Sequence, residues 1–165
     1  MSNDNEKKNN VDSKDQEFND IMLNLAWKRF EQVFNDKRDI EQKTSLILTA
    51  NGVLLGLVAN GFNVLSKGSA LLGLIAIFFS SLFCIISLKP REYLHIGVNE
   101  SWESLKNYKP DIDKVKMGIF GTIAANELIN RNNVKSAANW FEYAIWSFLL
   151  SVSLIIIALI DKNFF

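Results

Sequence analysis

One uncharged run constrains this chain more than any other feature. It extends from Lys43 to Ser66, reads KTSLILTANGVLLGLVANGFNVLS and carries no charge after Lys43. Two further uncharged runs are Ala70–Leu88 and Tyr143–Ile160. Because a bilayer core about 30 Å thick is crossed by about 20 residues of helix, each run is long enough to span it. The sequence therefore predicts an all-α membrane protein with three transmembrane helices, the first two forming an N-terminal hairpin.

Charge and length exclude several function classes. The 18 basic and 18 acidic residues balance, and the basic ones are spread along the polar segments, so we expect no nucleic-acid partner. The three runs occupy over a third of the 165 residues, which leaves no room for a separate soluble enzyme domain. Cys84 falls within the second run and is expected to be a small packing residue.

No residue pattern predicts catalysis or cofactor binding. His95 is the only histidine, and no serine or cysteine elbow, second histidine or carboxylate pair accompanies it. Gly118 and Gly121 lack the strand and the lysine of a phosphate-binding loop. We therefore expect no enzyme activity, no cofactor and no metal site.

The composition changes at definite points along the chain. Residues 1–14 are polar, whereas residues 15–43 contain no Gly or Pro and have apolar residues at helical spacing. The predicted division is a disordered tail 1–14, a cytoplasmic amphipathic helix 15–43, a transmembrane hairpin 44–88, a cytoplasmic helical segment 89–142, a third transmembrane helix 143–160 and an external tail 161–165.

The amphipathic helix has one apolar face, formed by Leu23, Trp27, Phe30 and Phe34. We expect this face to pack on the other cytoplasmic helices and to contribute to an oligomer contact. A helix lying on the bilayer surface is the alternative, disfavoured by the mixed charges of the polar face. The helix either continues into the first span or breaks near Thr44.

Two prolines mark helix boundaries between the second and third spans. Pro90 predicts the end of the second span. The pair Pro110-Asp111 predicts a helix start, with Asp111 or a neighbour as its cap. The apolar positions that follow step by three and four, and the pattern continues into the third span despite the two glycines, each of which weakens a helix by roughly 1 kcal/mol.

Each span carries a stripe of small or polar residues. In lipid, such residues permit close approach of helices, and their polar groups form interhelical hydrogen bonds, so the stripes predict a packed bundle. For Asn51 and Asn60 we expect interhelical hydrogen bonds, with a pore-lining role as the alternative. The predicted packing residues are Gly52, Gly56 and Asn60 in the first span, Gly73 and Ser80 in the second, and Ser147 and Ser151 in the third.

A family resemblance rests on short motifs at the edges of the first two spans. Lys43 precedes an apolar helix that contains the pair Asn51-Gly52, and the second span is followed by Pro90-Arg91. In these features the chain resembles the Pycsar transmembrane effector family, and it is also similar to the SLATT class of membrane effectors.

The resemblance implies a function. It implies a prokaryotic antiviral effector that oligomerises on a nucleotide signal and impairs the inner membrane. No cyclic-nucleotide-binding domain is recognisable, so the signal would reach the helices directly or through a cytosolic partner, or there is no nucleotide signal. A non-toxic accessory subunit that recruits a cytosolic partner to the membrane is the alternative.

The distribution of Lys and Arg predicts the topology. Basic residues flank the N-terminal end of the first span and the segment 89–135, so we expect the N-terminus inside and the C-terminus outside the cell membrane. Reporter fusions placed within 89–135 should therefore behave as cytoplasmic, and a fusion after Phe165 should behave as external. A cytoplasmic signal at the C-terminus would contradict the odd number of spans.

Overall fold

The computed structural model describes residues 3–61, 65–95 and 112–164, and the side chains of 17–61, 65–95 and 114–161. These residues form three helices, α1 (Asn3–Gly61), α2 (Lys67–Leu88) and α3 (Ile112–Phe164). All three are long and apolar enough to cross a membrane. The predicted all-α fold with three candidate spans is confirmed.

Helix α1 runs without a break from the polar N-terminal region into the first span. The first glycine is Gly52 and the first proline is Pro90, so nothing earlier in the chain interrupts the backbone hydrogen bonds. At Thr44 the helix is regular, and the Thr44 hydroxyl donates to the Ile40 carbonyl at 2.7 Å. The continuous alternative is therefore the observed one. The helix also includes most of segment 1–14, and here it differs from the disordered tail that we predict from composition.

Helix α2 begins earlier than the second uncharged run. Its N-cap is Ser66, in an extended conformation, so Lys67 and Gly68 belong to the first turn of the helix rather than to the connecting loop. The helix ends at Leu88, immediately before Lys89 and Pro90, as the proline predicts. Pro110 and Asp111, the predicted cap of α3, lie outside the described residues.

The chain divides into two compact units. We call the first the stalk unit (Met1–Asn35 and Glu92–Asn132) and the second the spanning unit (Asp36–Arg91 and Asn133–Phe165). The spanning unit is longer than the predicted membrane segments, since it begins at Asp36 rather than at residue 44 and its second part begins at Asn133 rather than at residue 143.

In the spanning unit, the small-residue stripe of α2 faces inward. At Gly73 the helices approach so closely that an added Cβ would lie 3.1 Å from Ile155 Cγ1 and 3.7 Å from the Ser151 carbonyl oxygen. The Ser66 N–H donates to the Ala158 carbonyl at 3.0 Å. The buried residues of α2 are Ala70, Gly73, Ala76, Ile77, Ser80, Cys84 and Ser87.

The stalk unit has a small core between α1 and α3. Ala26, Phe30 and Ile123 are buried together in this core. The partly buried residues packed against them are Leu23, Phe34, Ile119 and Phe120. The apolar face of α1 therefore packs on a helix of the same chain. An ion pair between Lys116 and Asp20, at 2.7 Å, adds a polar contact between the two helices.

A single amide fixes the extended chain that follows α2. Asn130 is fully buried on α3, its Oδ1 accepts from the Leu94 N–H and its Nδ2 donates to the Leu94 carbonyl, both at 2.9 Å. The centroid of the Phe34 ring lies 5.3 Å from that of the His95 ring, on which it stacks, and 6.1 Å from that of the Tyr93 ring. This segment is therefore attached to both helices of the stalk unit.

The close approach at Gly73 gives a first prediction from the fold. Replacing Gly73 by Leu should destabilise the spanning unit by about 1–3 kcal/mol, because the added side chain forces α2 away from α3. Unfolding of the purified protein in detergent, followed by circular dichroism, measures this loss. Gly68→Leu is the matched control, since an added Cβ there meets no atom within 4 Å. Equal loss in both variants would contradict the packing argument.

The Asn130 amide gives a second prediction. Asn130→Ala should leave both backbone groups of Leu94 unpaired at a cost of about 1–3 kcal/mol. Hydrogen exchange at the Leu94 amide should become faster. Asn132→Ala, an exposed position in the same helix, is the control and should leave that exchange rate unchanged. Unchanged exchange in the Asn130 variant would show that the amide does not hold this segment.

Candidate functional site

The interior of the spanning unit is polar at two successive levels. At the first level, the Ser87 hydroxyl donates to the Ala137 carbonyl at 2.9 Å, and Thr44 Oγ1 lies 3.5 Å from Ser87 Oγ. Thr44 and Ser87 are both buried. Side chains from α1 and α2 and a backbone group of α3 therefore meet here, away from solvent and lipid.

The second level is centred on Asn51. Its Nδ2 donates to Ser80 Oγ at 2.9 Å, and the Ser80 hydroxyl donates to the Ala144 carbonyl at 2.9 Å. Asn51 is only 2% exposed, and its Oδ1 has no hydrogen-bond partner. A buried acceptor without a partner costs about 1–3 kcal/mol, and Asn51 Oδ1 is the one such side-chain atom among the residues whose side chains the structure describes.

The two levels belong to a seven-residue repeat shared by all three helices. From Thr44 the step leads to Asn51 and Val58, and all three are buried. The corresponding residues are Ser87, Ser80 and Gly73 on α2, and Ala137, Ala144 and Ser151 on α3. A repeat of seven keeps one narrow face of each helix turned toward its partners, as in left-handed coiled coils.

At both levels the polar contacts are hydrogen bonds between neutral groups. The hydroxyls of Ser80, Ser87 and Ser151 each donate to a backbone carbonyl of α3. No group of three or more His, Cys, Asp or Glu residues suited to a metal ion occurs among the described residues. These hydrogen bonds hold the helices in one rotational position relative to each other.

The predicted packing stripe on α1 lies on the outer face of the helix, whereas Asn51 lies on the inner face. Gly52, Gly56 and Asn60 are exposed, and a Cβ added at either glycine would meet no atom within 4 Å. The stripe is therefore not part of the packing within the chain. The interhelical hydrogen bond expected of the span asparagines is made by Asn51, whereas Asn60 faces outward.

The stripes on the other two spans face inward. Gly73 and Ser80 are buried on α2. On α3, Ser151 is buried and its hydroxyl donates to the Phe148 carbonyl at 2.7 Å, while Ser147 is half-buried. The small residues of α2 and α3 thus build the bundle, and those of α1 are left on its surface.

The motif residues at the edges of the spans have local roles. Lys43 is exposed and pairs with Asp39, one turn earlier, at 3.5 Å. Arg91, after Pro90, donates from Nη1 to the Ser87 carbonyl at 3.1 Å. This bond satisfies one of the carbonyls that a helix leaves free at its C-terminus.

The predicted oligomer face on the amphipathic helix is largely used within the chain. Phe30 is buried, and Leu23 and Phe34 are partly buried against the same core. Of the predicted set, only Trp27 is mostly exposed, at 52%. Other apolar side chains of α1 that remain exposed in the stalk unit are Phe18, Ile21 and Leu25.

Asn130 is the structural residue that residue patterns did not reveal. Its partner Leu94 is distant in sequence, so no local spacing connects them. A signal was nevertheless present: Asn130 lies one seven-residue step before Ala137, on the repeat that continues through Ala144 and Ser151. An amide on an inward-facing position predicts a buried hydrogen bond.

The comparisons with known proteins identify the family. A family model described as the Pycsar effector protein domain matches residues 25–160, most of the chain and all three helices in part. No match was found among the curated proteins or among the solved structures. Residues Lys43, Asn51, Gly52, Pro90 and Arg91 all lie within the matched range. The chain, with its three helices long and apolar enough to span a membrane, belongs to the Pycsar effector family and is a membrane effector of a defence system.

Proposed function

We propose that this protein assembles in the inner membrane of a prokaryotic cell and impairs its integrity when a nucleotide-signalled antiviral response is triggered. The N-terminus lies in the cytoplasm and the C-terminus outside. The family assignment supports the defence role, and the three spans support the membrane location. The assembly and the damage to the membrane are inferred from the surface of α1.

The outward stripe on α1 is the observation that carries the proposal. Gly52 and Gly56 are one helical turn apart on an exposed face, with open space around both. Glycines give no particular advantage in contacts with lipid tails, whereas they allow the backbone of a second helix to approach closely. The partner that fits this face is therefore another membrane helix, and a second copy of the chain supplies one in every cell that makes the protein.

The same face of α1 continues toward the polar part of the helix as an open surface. Its residues are Arg38, Glu41, Gln42, Ser45, Leu46 and Thr49. The acidic and the basic side chain on this surface allow a second copy, inserted in the same orientation, to form ion pairs with the first. The contact between copies then extends beyond the hydrocarbon core.

The damage is best explained by assembly rather than by ion or proton relay. Between Lys43 and Lys67 the first span has no ionisable residue, and intramembrane ionisable residues are what a relay requires. The hydroxyls and amides of the three spans are neutral. We therefore propose that several copies together perturb the bilayer or enclose a leak.

The exposed apolar residues of the stalk unit support a cytosolic contact. Phe18 and Ile21 are 60% and 58% exposed, and Leu25 and Trp27, farther along the same helix, are 46% and 52% exposed. Such residues favour a protein partner, which in this proposal delivers the nucleotide signal. The same surface would serve the alternative function, a non-toxic accessory subunit, and the two functions differ in whether the assembled protein depolarises the membrane.

Replacing Gly56 by Leu tests the proposed assembly. The larger side chain should hold the α1 helices of two copies apart, while the span stays apolar enough to insert. Cross-linking in membranes should show fewer oligomers, and a membrane-potential dye should show less depolarisation. Asn60→Leu should have a smaller effect, since an interhelical hydrogen bond contributes about 0.6 kcal/mol on average.

The matched control is Leu57→Ile, at a neighbouring exposed position that lies off the stripe. It should leave both measurements unchanged. Unaltered oligomers and depolarisation in the Gly56 variant would mean that the stripe faces lipid and that the proposed mechanism is wrong. Intact oligomers without depolarisation in the unmodified protein would favour the accessory subunit.

A further inference from the structure

A continuous row of aromatic rings lies along α2 and α3 in the spanning unit. Phe83 is half-buried, and its ring centroid lies 5.8 Å from that of Trp140 and 6.0 Å from that of Tyr143. Phe79 continues the row from Phe83 at 6.2 Å, and Phe78 follows Phe79 at 5.8 Å. Phe78, Phe79 and Tyr143 are exposed, so this row, which we call the aromatic ladder, lies on the surface of the bundle.

Charged residues locate one end of the aromatic ladder at the edge of the bilayer. Glu142 is the last charged residue of α3 before the uncharged run, and Lys135 lies seven residues earlier. Seven residues correspond to about 10 Å along a helix axis, and the headgroup region on each side of a bilayer is about 5–8 Å thick. Trp140 and Tyr143 therefore lie where the headgroup region meets the hydrocarbon core.

The other end of the aromatic ladder lies deeper in the membrane. Ser80 bonds to Ala144 and Ser87 bonds to Ala137, so α2 and α3 are antiparallel in the spanning unit. Phe78 and Phe79 directly precede Ser80 in the chain and are consequently beyond the level of Ala144, on its hydrocarbon side. The rings thus follow one order, with Trp and Tyr at the edge and Phe within the core.

The two residues at the edge carry polar groups without a partner. The rings of Trp140 and Tyr143 contact each other edge to face at 5.9 Å. In the described part of the chain, no hydrogen bond is made by the Trp140 N–H or the Tyr143 hydroxyl. Tyr and Trp are enriched at membrane interfaces because the ring is apolar while its N–H or O–H needs a polar partner. These two groups therefore require an acceptor from outside the chain.

We propose that the aromatic ladder binds a phospholipid of the cytoplasmic leaflet. The Trp140 N–H and the Tyr143 hydroxyl donate to phosphate or ester oxygens, and one acyl chain lies along Phe83, Phe79 and Phe78. The choice of leaflet rests on the topology in the proposed function. The contact with lipid itself does not depend on that topology.

A phospholipid fits this surface better than a second copy of the chain. Phosphate and ester groups supply acceptors at the level of the two donors, and the acyl chain follows the rings that have no polar atom. A second copy facing the same surface in the same orientation would bring its own Trp140 N–H, which can only donate. Large exposed rings also keep a second helix at a distance, in contrast to the small residues at Gly52 and Gly56.

The lipid contact has a consequence for the bundle. Phe83 belongs to α2, whereas Trp140 and Tyr143 belong to α3, so one bound lipid contacts two helices at once. It holds the bundle at one depth through its headgroup. The Gly52 and Gly56 face belongs to α1 and stays available to a second copy.

Quenching of tryptophan fluorescence by brominated phospholipids tests the proposal, because bromine quenches a ring that it contacts. One full-length variant keeps Trp140 alone through Trp27→Phe, Trp102→Phe and Trp146→Phe. A second variant lacks all four native tryptophans and carries Phe78→Trp at the deep end of the aromatic ladder. A third keeps Trp27 alone, which is exposed in the stalk unit, as the control. Each is reconstituted in phosphatidylcholine vesicles brominated either near the ester or near the methyl end of the acyl chains.

The expected quenching depends on the depth of the ring. Trp140 should be quenched by both lipids, with a larger ratio of ester-end to methyl-end quenching than the Phe78→Trp variant shows. The Trp27 control should be quenched little by either lipid. Absence of Trp140 quenching, or equal ratios for the two positions, would overturn the proposal. Trp140 quenching that falls as the protein-to-lipid ratio rises would also overturn it, since a second copy would then cover the aromatic ladder.

Removing one donor tests the assigned hydrogen bond. Tyr143→Phe in the Trp140-only variant keeps the ring contacts and removes the hydroxyl, so the ratio of ester-end to methyl-end quenching should fall. Tyr93→Phe removes a phenol from the stalk unit and should leave the ratio unchanged. An unchanged ratio in the Tyr143 variant would overturn the hydrogen bond to lipid. A protein that never depolarises the membrane would overturn the proposed function instead, since quenching is read independently of depolarisation.

Discussion

Hydrogen bonds from serine hydroxyls to carbonyls of α3 are the interaction on which the spanning unit depends. Ser80 and Ser87 donate to Ala144 and Ala137, and Asn51 joins the first of these bonds from α1. Inside a bilayer, apolar burial does not distinguish one helix face from another, because lipid is as apolar as a neighbouring leucine. Short polar side chains and close approach at Gly73 therefore decide which faces meet.

The same physical rule gives small residues two roles in this protein. Those of α2 and α3 are buried and build the bundle of a single chain. Gly52 and Gly56 of α1 lie on its surface, where they have no partner within 4 Å. The assembly that we propose depends on this second, outward-facing set of small residues. Asn51 directly precedes Gly52 in the chain, but its side chain is buried in the bundle, whereas Gly52 is exposed.

The stalk unit uses the chemistry of a water-soluble protein. Its core is built from Phe30, Ala26 and Ile123, and apolar burial in water stabilises such a cluster by about 25 cal/mol per Å². The Asn130 amide then fixes the chain that leaves α2. Most of the predicted oligomer face, namely Leu23, Phe30 and Phe34, packs in or against this core. A helix with one strongly apolar face packs first on the nearest apolar face of its own chain.

The sequence by itself determined the three spans, the end of α2 at Pro90 and the family, because uncharged length, a missing backbone N–H and short motifs are local properties. It did not determine which residues of α1 face inward. Asn51 and Gly52 are adjacent, and the face of α1 that carries each of them contains small or polar residues, so periodicity alone cannot tell which face is buried. The choice depends on where Ser80 and Ala144 lie, and the position of Asn130 depends likewise on Leu94. Only the tertiary structure decided these pairings, since each bond joins groups that are far apart in the chain and meet only when the helices pack.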